Sequence, residues 1–185
     1  TSDFGTKDAY VGAMKGVILQ IAPESELVDI SHQIDAQDVM EGAFVLRNAV
    51  PYFPEQTVHL VVVDPGVGTD RRGVAVRLDD QYFVGADNGL FTLLARSAEE
   101  VEAVELTNRS VWHTEEPSTT FHGRDIFAPA AAHLVAGRSM EDLGDPIEDE
   151  LEPLRWAEPT VDDEGIRGWV VQVDRFGNCI TNITR

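Results

Sequence analysis

The sequence predicts a layered α/β domain over residues 1–155, followed over residues 156–185 by the start of a separate β element. Three observations point there. Helical stretches with an apolar stripe alternate with β-branched runs. The run Thr57–Val63, TVHLVVV, is nearly all apolar, as a strand covered on both faces should be. Past residue 155 the alternation ends, and two strands about a turn replace it. In chain order, Asp8–Ile21 places Tyr10, Val11, Met14, Val17, Ile18 and Ile21 on one helical stripe. Glu26–Ile30 reads as a short strand. Asp35–Val50 reads as a second helix, with an aspartate start signal and Pro51 just past its end. Gly73–Leu78 and Tyr82–Val84 are strands joined around Asp79-Asp80. Gly89–Arg96 is a short helix, Val101–Leu106 a strand, and Arg124–Ala136 an alanine-rich helix. Gly137–Glu164, acidic and dotted with proline, reads as loop and linker. Ile166–Val173 and Cys179–Ile183 flank a turn at Arg175–Asn178. The opening TSDFG has the character of a loop that follows a strand, and the chain stops just after the second strand of the β element. Both edges read as those of a fragment.

Composition narrows the class of partner. Apolar residues make up 43%, enough for a substantial core. Asp and Glu number 33 against 14 basic residues, a net charge of −19. A field of that sign repels nucleic acid and anionic lipid, so neither is expected as a partner. Among the basic residues Lys7 and Lys15 are the two lysines and the other 12 are arginine. An acidic, lysine-poor surface suits a salt-rich cytoplasm, where screening relieves self-repulsion; the plainer alternative is an acidic bacterial protein with solvated carboxylates. Cys179 is the one cysteine, which excludes an internal disulfide and fits a reducing, cytoplasmic setting. No apolar run approaches the roughly 20 residues of a membrane helix, and the opening TSDFGTKD has no signal-peptide core.

In α/β sheets, ligands bind beyond the carboxyl ends of strands. Polar clusters fall there at Ser2–Gly5, Asp64–Arg72, Asp87–Gly89 and Phe121–Asp125, and a fifth, Asp174–Asn178, lies in the β element. The stretch VVVDPGVGTDRR ends a strand in a glycine loop, but it is no phosphate loop. A Walker loop needs lysine and a hydroxyl after its last glycine, where this chain has Thr69 and Asp70. Gly66-Val67-Gly68 leads to two arginines and a strand, not to a helix. Asp64 would repel a phosphate and favour a cation or a proton donor. A plain turn at Asp64-Pro65 is the alternative, as is a solvated or surface-paired role for Arg71-Arg72. Gly66 and Gly68 serve either turn angles or a close backbone pass beside a ligand. His122, just ahead of a helix start, is either a hydrogen-bonder at that terminus or a catalyst. His59 and His133 read as structural and His113 as loop surface; with His32 they complete five histidines. No H-x-x-x-H or H-E-x-x-H pair occurs, so no metal is expected. Asp174–Asn178 is either a plain turn or a place where Phe176 offers a π face and Asn178 an amide, as an adenine ring requires.

The segments SDFGTKDAYVGAMKGVI, VVVDPGVGTDRR, ADNGL, TFHGRDIFAPAAAHL and DRFGNCITNI, in this order, resemble the S-adenosylmethionine hydroxide adenosyltransferases, of the superfamily that includes the S-adenosylmethionine-dependent chlorinases and fluorinases. The likeness spans essentially the whole chain. It implies an N-terminal α/β domain followed by a C-terminal β-barrel-like domain, of which most lies outside this sequence. It implies a homotrimer with sites between subunits. It implies cleavage of S-adenosyl-L-methionine at ribose C5′, with adenosine and methionine as products in the water-using members and no cofactor. The catalytic Asp, Arg and His of those members map onto Asp64, Arg71 and His122. The aspartate that holds the ribose hydroxyls maps onto Asp3, and residues near methionine and adenine map onto Asp174, Phe176 and Asn178. Halogenating relatives lack that Asp and His, so Asp64 and His122 favour water over halide.

The chemistry expected is displacement at a primary carbon by an oxygen nucleophile, with a neutral thioether leaving. His122 takes the proton or hydrogen-bonds a hydroxide, Asp64 orients the ring, and Arg71 holds the oxygen. The alternatives are a halogenase, a non-catalytic S-adenosylmethionine or nucleoside-binding module, and a metal-dependent phosphoesterase.

Overall fold

The computed structural model of the chain describes residues 1–154 and 158–183, so the expected domain boundary at residue 155 lies outside the described residues. Five strands form one mixed sheet: β1 Val58–Leu60, β2 Gly73–Leu78, β3 Gln81–Ala86, β4 Val101–Glu105 and β5 Asp145–Pro146. Their order is β1-β3-β2-β4-β5. β1 runs parallel to β3, and the remaining pairs are antiparallel.

Period-two alternation through these strands builds a three-layer stack. Ala75, Val84, Ala86 and Val104 point to the face covered by α1 (Tyr10–Ile21) and α4 (Ala128–Val135), where Met14, Val17, Ile18, Ala130 and Ala131 are buried. Val74, Val76 and Phe83 point to the other face, with Leu46 of α2 (Val39–Ala49) and with Leu90 and Phe91, which lead into α3 (Thr92–Ala95). Val61, Val62 and Val63, beyond β1, keep the alternation and divide between the two faces. The apolar quality of Thr57–Val63 is thereby explained: it is covered on both sides.

Most element boundaries match the sequence reading within a few residues. The second helix begins later than expected, because Asp38, not Asp35, accepts from the Glu41 amide as its cap at 2.8 Å. Asp79 turns the β2–β3 hairpin at φ 50. The expected strand Glu26–Ile30 forms no ladder. It lines, with β1, α1 and α4, a cavity of about 540 Å3, and joins none of the sheets among the described residues. The expected helix Arg124–Ala136 opens instead as a wide π turn over Gly123–Phe127 before α4 begins.

The trailing segment holds two small hairpins, β6 Thr160–Asp162 with β7 Gly165–Arg167, and β8 Val170–Val173 with β9 Cys179–Thr181. The strand expected over Ile166–Val173 is therefore divided between two hairpins. These sheets are open, so no closed barrel forms within the described residues. Val171 packs against Ala43, Phe44 and Leu93, and Gln172 Nε2 donates to Glu41 Oε1 at 2.9 Å, which docks β8 on α2. No helix among the described residues is long and apolar enough to cross a membrane.

Candidate active site

The loop after β1 curls back on itself. The Val67 amide donates to the Asp64 carbonyl at 3.3 Å, and the Thr69 amide to the Gly66 carbonyl at 3.1 Å. These consecutive turns bring Arg71 against Asp64. Gly68 makes the curl possible: it sits at φ +78, and a Cβ there would lie 2.4 Å from the Thr119 carbonyl oxygen. Asn88 holds the start of the loop through a 2.9 Å bond from Nδ2 to the Val63 carbonyl.

Arg71 is the centre of the group. Its Nε lies 3.0 Å from both Asp64 oxygens, and its Nη2 lies 2.5 Å from Asp64 Oδ2. The same Nη2 lies 2.7 Å from His122 Nδ1. The guanidinium also rests over the Phe127 ring at 5.1 Å, and the His122 ring meets that ring edge-on. Gly73 leaves the space for Phe127, since a Cβ there would come within 2.8 Å of Cε1. The Asp64 side chain is 5% exposed and that of Arg71 12%, so the solvated-pair alternative for Arg71 fails.

His122 stands at the start of the π turn. Buried Asp125 holds the preceding loop: it pairs with Arg124 at 2.6 Å and accepts from the Ser118 amide at 2.8 Å. Burial pushes the His122 imidazole below its ordinary value of 6.5, and the positive Arg71 lowers it further, against the opposing pull of Asp64 and Asp125. A guanidinium only donates, so Nδ1 must accept from Arg71 and the ring proton sits on Nε2. The expectation that Asp64 orients the imidazole is corrected here. Arg71 stands between them and orients the ring, because both Asp64 oxygens already face the guanidinium.

Arg72, the next residue, has partners of its own. It engages Asp87 at 2.8 Å, Asp149 at 2.8 Å and the Glu150 carbonyl at 3.1 Å. Asp87, also buried, accepts from the Glu152 amide at 2.8 Å and so latches the segment 149–152 to the sheet. Asp87 and Asp125, each within a polar cluster of the sequence, are both buried carboxylates matched to an arginine, a pairing that the sequence pattern does not specify.

Asp3 lies at the same end of the sheet. Its amide donates to the Val62 carbonyl at 3.4 Å, two residues before Asp64, and its Oδ2 accepts from the Gln37 amide at 2.8 Å. Phe4, Tyr10 and Phe121 form a cluster of rings with centroids 5.3–5.7 Å apart, joining the Asp3 turn to the residue before His122. Asp174, Phe176 and Asn178 are not part of this assembly. They form the β8–β9 turn, where Asp174 accepts from the Phe176 and Asn178 amides at 2.9 Å and from Asn178 Nδ2 at 2.7 Å. Phe176 is 88% exposed. Two cavities of about 530 and 540 Å3 lie elsewhere, and neither is lined by Asp64, Arg71 or His122.

Residues 1–144 match the family model for the SAM hydroxide adenosyltransferase N-terminal domain. The chain belongs to this family. It is 44% identical over 182 residues to the (R)-S-adenosyl-L-methionine hydrolase of Salinispora tropica, covering 96% of this chain and 68% of the relative. It is 44% identical to the enzyme of the same name from Thermus thermophilus, covering 100% and 73%. The crystal structure of an uncharacterized conserved protein from Thermotoga maritima superposes with a TM-score of 0.91 at 45% identity, over 98% of this chain and 69% of that one. A fluorinase from an Actinoplanes species matches at a lower 33% identity. In this member of the family the mixed sheet brings together Asp64, Arg71 and His122, 51 residues apart between Arg71 and His122, in one hydrogen-bonded group.

Proposed function

We propose that this protein cleaves S-adenosyl-L-methionine to adenosine and L-methionine by attack of a water-derived oxygen on ribose C5′. The observation that carries this reading is the hydrogen-bonded chain Asp64–Arg71–His122, in a sequence 44% identical to hydrolases of that name. Arg71 and the Nε2–H of His122 are both donors, suited to hold an oxygen as it gains negative character. Free water, with a pKa near 15.7, needs that help. His122 therefore acts as a donor to the nucleophile, and the water proton is left for Asp64, the anion of the three. The new bond is C5′–O and the bond broken is C5′–S. Its electron pair goes to sulfur, which leaves as a neutral thioether and needs no acid. Hydroxide-like oxygen and sulfonium cancel charge as they meet, so a water-poor site speeds the step. The step as written calls for no cofactor or metal.

Asp3 holds the ribose hydroxyls in this reading. Asp174, Phe176 and Asn178 bind the methionine and adenine ends. Their turn stands apart from the Asp64 group in its own chain, with Phe176 exposed, which fits a homotrimer whose sites lie between subunits. The reading places the protein in the cytoplasm, where its substrate is made. Water rather than halide is the nucleophile, because Asp64 and His122 are present and joined through Arg71. The test is incubation of the full-length protein with S-adenosyl-L-methionine in isotopically heavy water, with and without chloride. Label at the adenosine 5′-oxygen supports the reading; a 5′-halo-adenosine, or binding without turnover, overturns it.

A further inference from the structure

A second line of polar side chains runs inward from the surface beside Asp3. Lys15 Nζ donates to Asp29 Oδ2 at 2.7 Å, His32 Nε2 lies 3.1 Å from Asp29 Oδ1, and His32 Nδ1 lies 2.8 Å from Ser2 Oγ. Serine, histidine and carboxylate stand in the order of a hydrolytic triad, but Ser2 is 0% exposed and its hydroxyl cannot meet a substrate. The carboxylate fixes the tautomer instead. Asp29 accepts from Nε2–H, so Nδ1 is bare and accepts the Ser2 hydroxyl proton. Burial, which pushes the His32 imidazole below its ordinary value, keeps the ring neutral for that role.

What this relay holds is the turn that carries Asp3. The Ser2 amide donates to the Ser31 carbonyl at 3.0 Å and the Gly5 amide to the His32 carbonyl at 2.7 Å. The Phe4 amide lies 3.4 Å from Ser2 Oγ. His32 thus grips the turn on both sides of Asp3, by its ring at Ser2 and by its backbone at Gly5. From the same segment the Gln37 amide, at φ 67, takes Asp3 Oδ2. Among the described residues Asp3 Oδ1 accepts no hydrogen bond, which leaves one oxygen free for a hydroxyl donor.

We propose that Ser2, His32 and Asp29 are positioning residues: their relay, buried at Ser2 and His32 and reaching the surface at Asp29, fixes the turn that aims the Asp3 carboxylate at the ribose hydroxyls of the substrate. The inference rests on the reading of Asp3 as the ribose-binding residue. Its test is calorimetric binding of S-adenosyl-L-methionine and of its 2′-deoxyribose counterpart to the full-length protein, wild type against Ser2→Ala. Wild type should prefer the ribose form. Ser2→Ala should lose about tenfold in affinity for it, the order expected when a hydrogen bond to a charged group is misdirected, while the 2′-deoxy form binds as before. Ser2→Thr, which keeps the hydroxyl, should restore the preference. Should Ser2→Ala fail to fold, His32→Gln carries the same comparison. A wild type indifferent to the 2′-hydroxyl overturns the reading of Asp3 itself. A wild type that discriminates, beside variants that discriminate equally or lose both ligands in parallel, overturns the relay and leaves Asp3 in place.

Discussion

Replacing Arg71 with lysine keeps the positive charge and removes the fork. In the protein, Nε and Nη2 together engage both Asp64 oxygens, and Nη2 also reaches His122 Nδ1. An ammonium is a compact point charge on a flexible stem and cannot span a carboxylate and an imidazole in one plane. Two losses follow. Asp64, with a side chain 5% exposed, loses donors at a cost of about 1–3 kcal/mol. At this chain length each kcal/mol lowers the melting temperature by about 2–4 °C. In the proposed mechanism the reacting oxygen loses a preorganised donor, and His122 loses the contact that fixes its tautomer. Removing one such donor costs about 2.7–4 kcal/mol of barrier, or roughly 10²–10³ in kcat. The assay is adenosine release at saturating S-adenosyl-L-methionine by the full-length enzyme, alongside thermal unfolding. The expected result is a kcat loss of that size with KM little changed and a melting point lowered by several degrees. Turnover within about threefold of wild type would refute the reasoning, since it would mean that a bare charge does what is here assigned to the fork.

Gly68→Ala should strain the loop twice, through its φ of +78 and through a Cβ 2.4 Å from the Thr119 carbonyl oxygen. The expected cost is about 1–3 kcal/mol, read by thermal unfolding, with a parallel fall in turnover; an unchanged melting point would count against the described loop. Acid should also destabilise the protein through its histidines. His32, His59, His122 and His133 are all held below the ordinary imidazole value of 6.5, chiefly by burial. The unfolded chain then binds protons more tightly than the folded one. Stability from these groups is complete above that value and is lost as pH falls through it. Unfolding midpoints from about pH 8 to about pH 5 should show this at about 1 M salt, where screening removes the opposing relief of acidic self-repulsion. A flat profile would remove the histidine contribution.

The fold was legible wherever a single period ran uninterrupted. The stripe of Met14, Val17 and Ile18 and the alternation of Val74, Ala75 and Val76 point to their faces without knowledge of any partner. The strand expected at Glu26–Ile30 does not form, because strand propensity alone does not set the ladder that a segment joins. The Asp64 loop, the Phe121–Asp125 cluster and the Asp3 turn were legible as polar residues at strand ends. Their wiring was not. That Arg71 stands between Asp64 and His122 depends on two consecutive turns and a π turn, and local sequence pattern encodes neither. The contact between Ser2 and His32 is illegible for the same reason: 30 residues separate a serine and a histidine that meet only when the turn at Asp3 packs against the segment 29–37.

Arg71 and Arg72 are chain neighbours whose guanidiniums grasp different sets of partners. One holds Asp64 and His122; the other holds Asp87, Asp149 and the Glu150 backbone. Tension on the outgoing polypeptide is therefore delivered to within a single peptide unit of the guanidinium that joins Asp64 to His122. An insertion or tag placed in the 149–152 stretch should register first as altered catalysis and only later as altered folding.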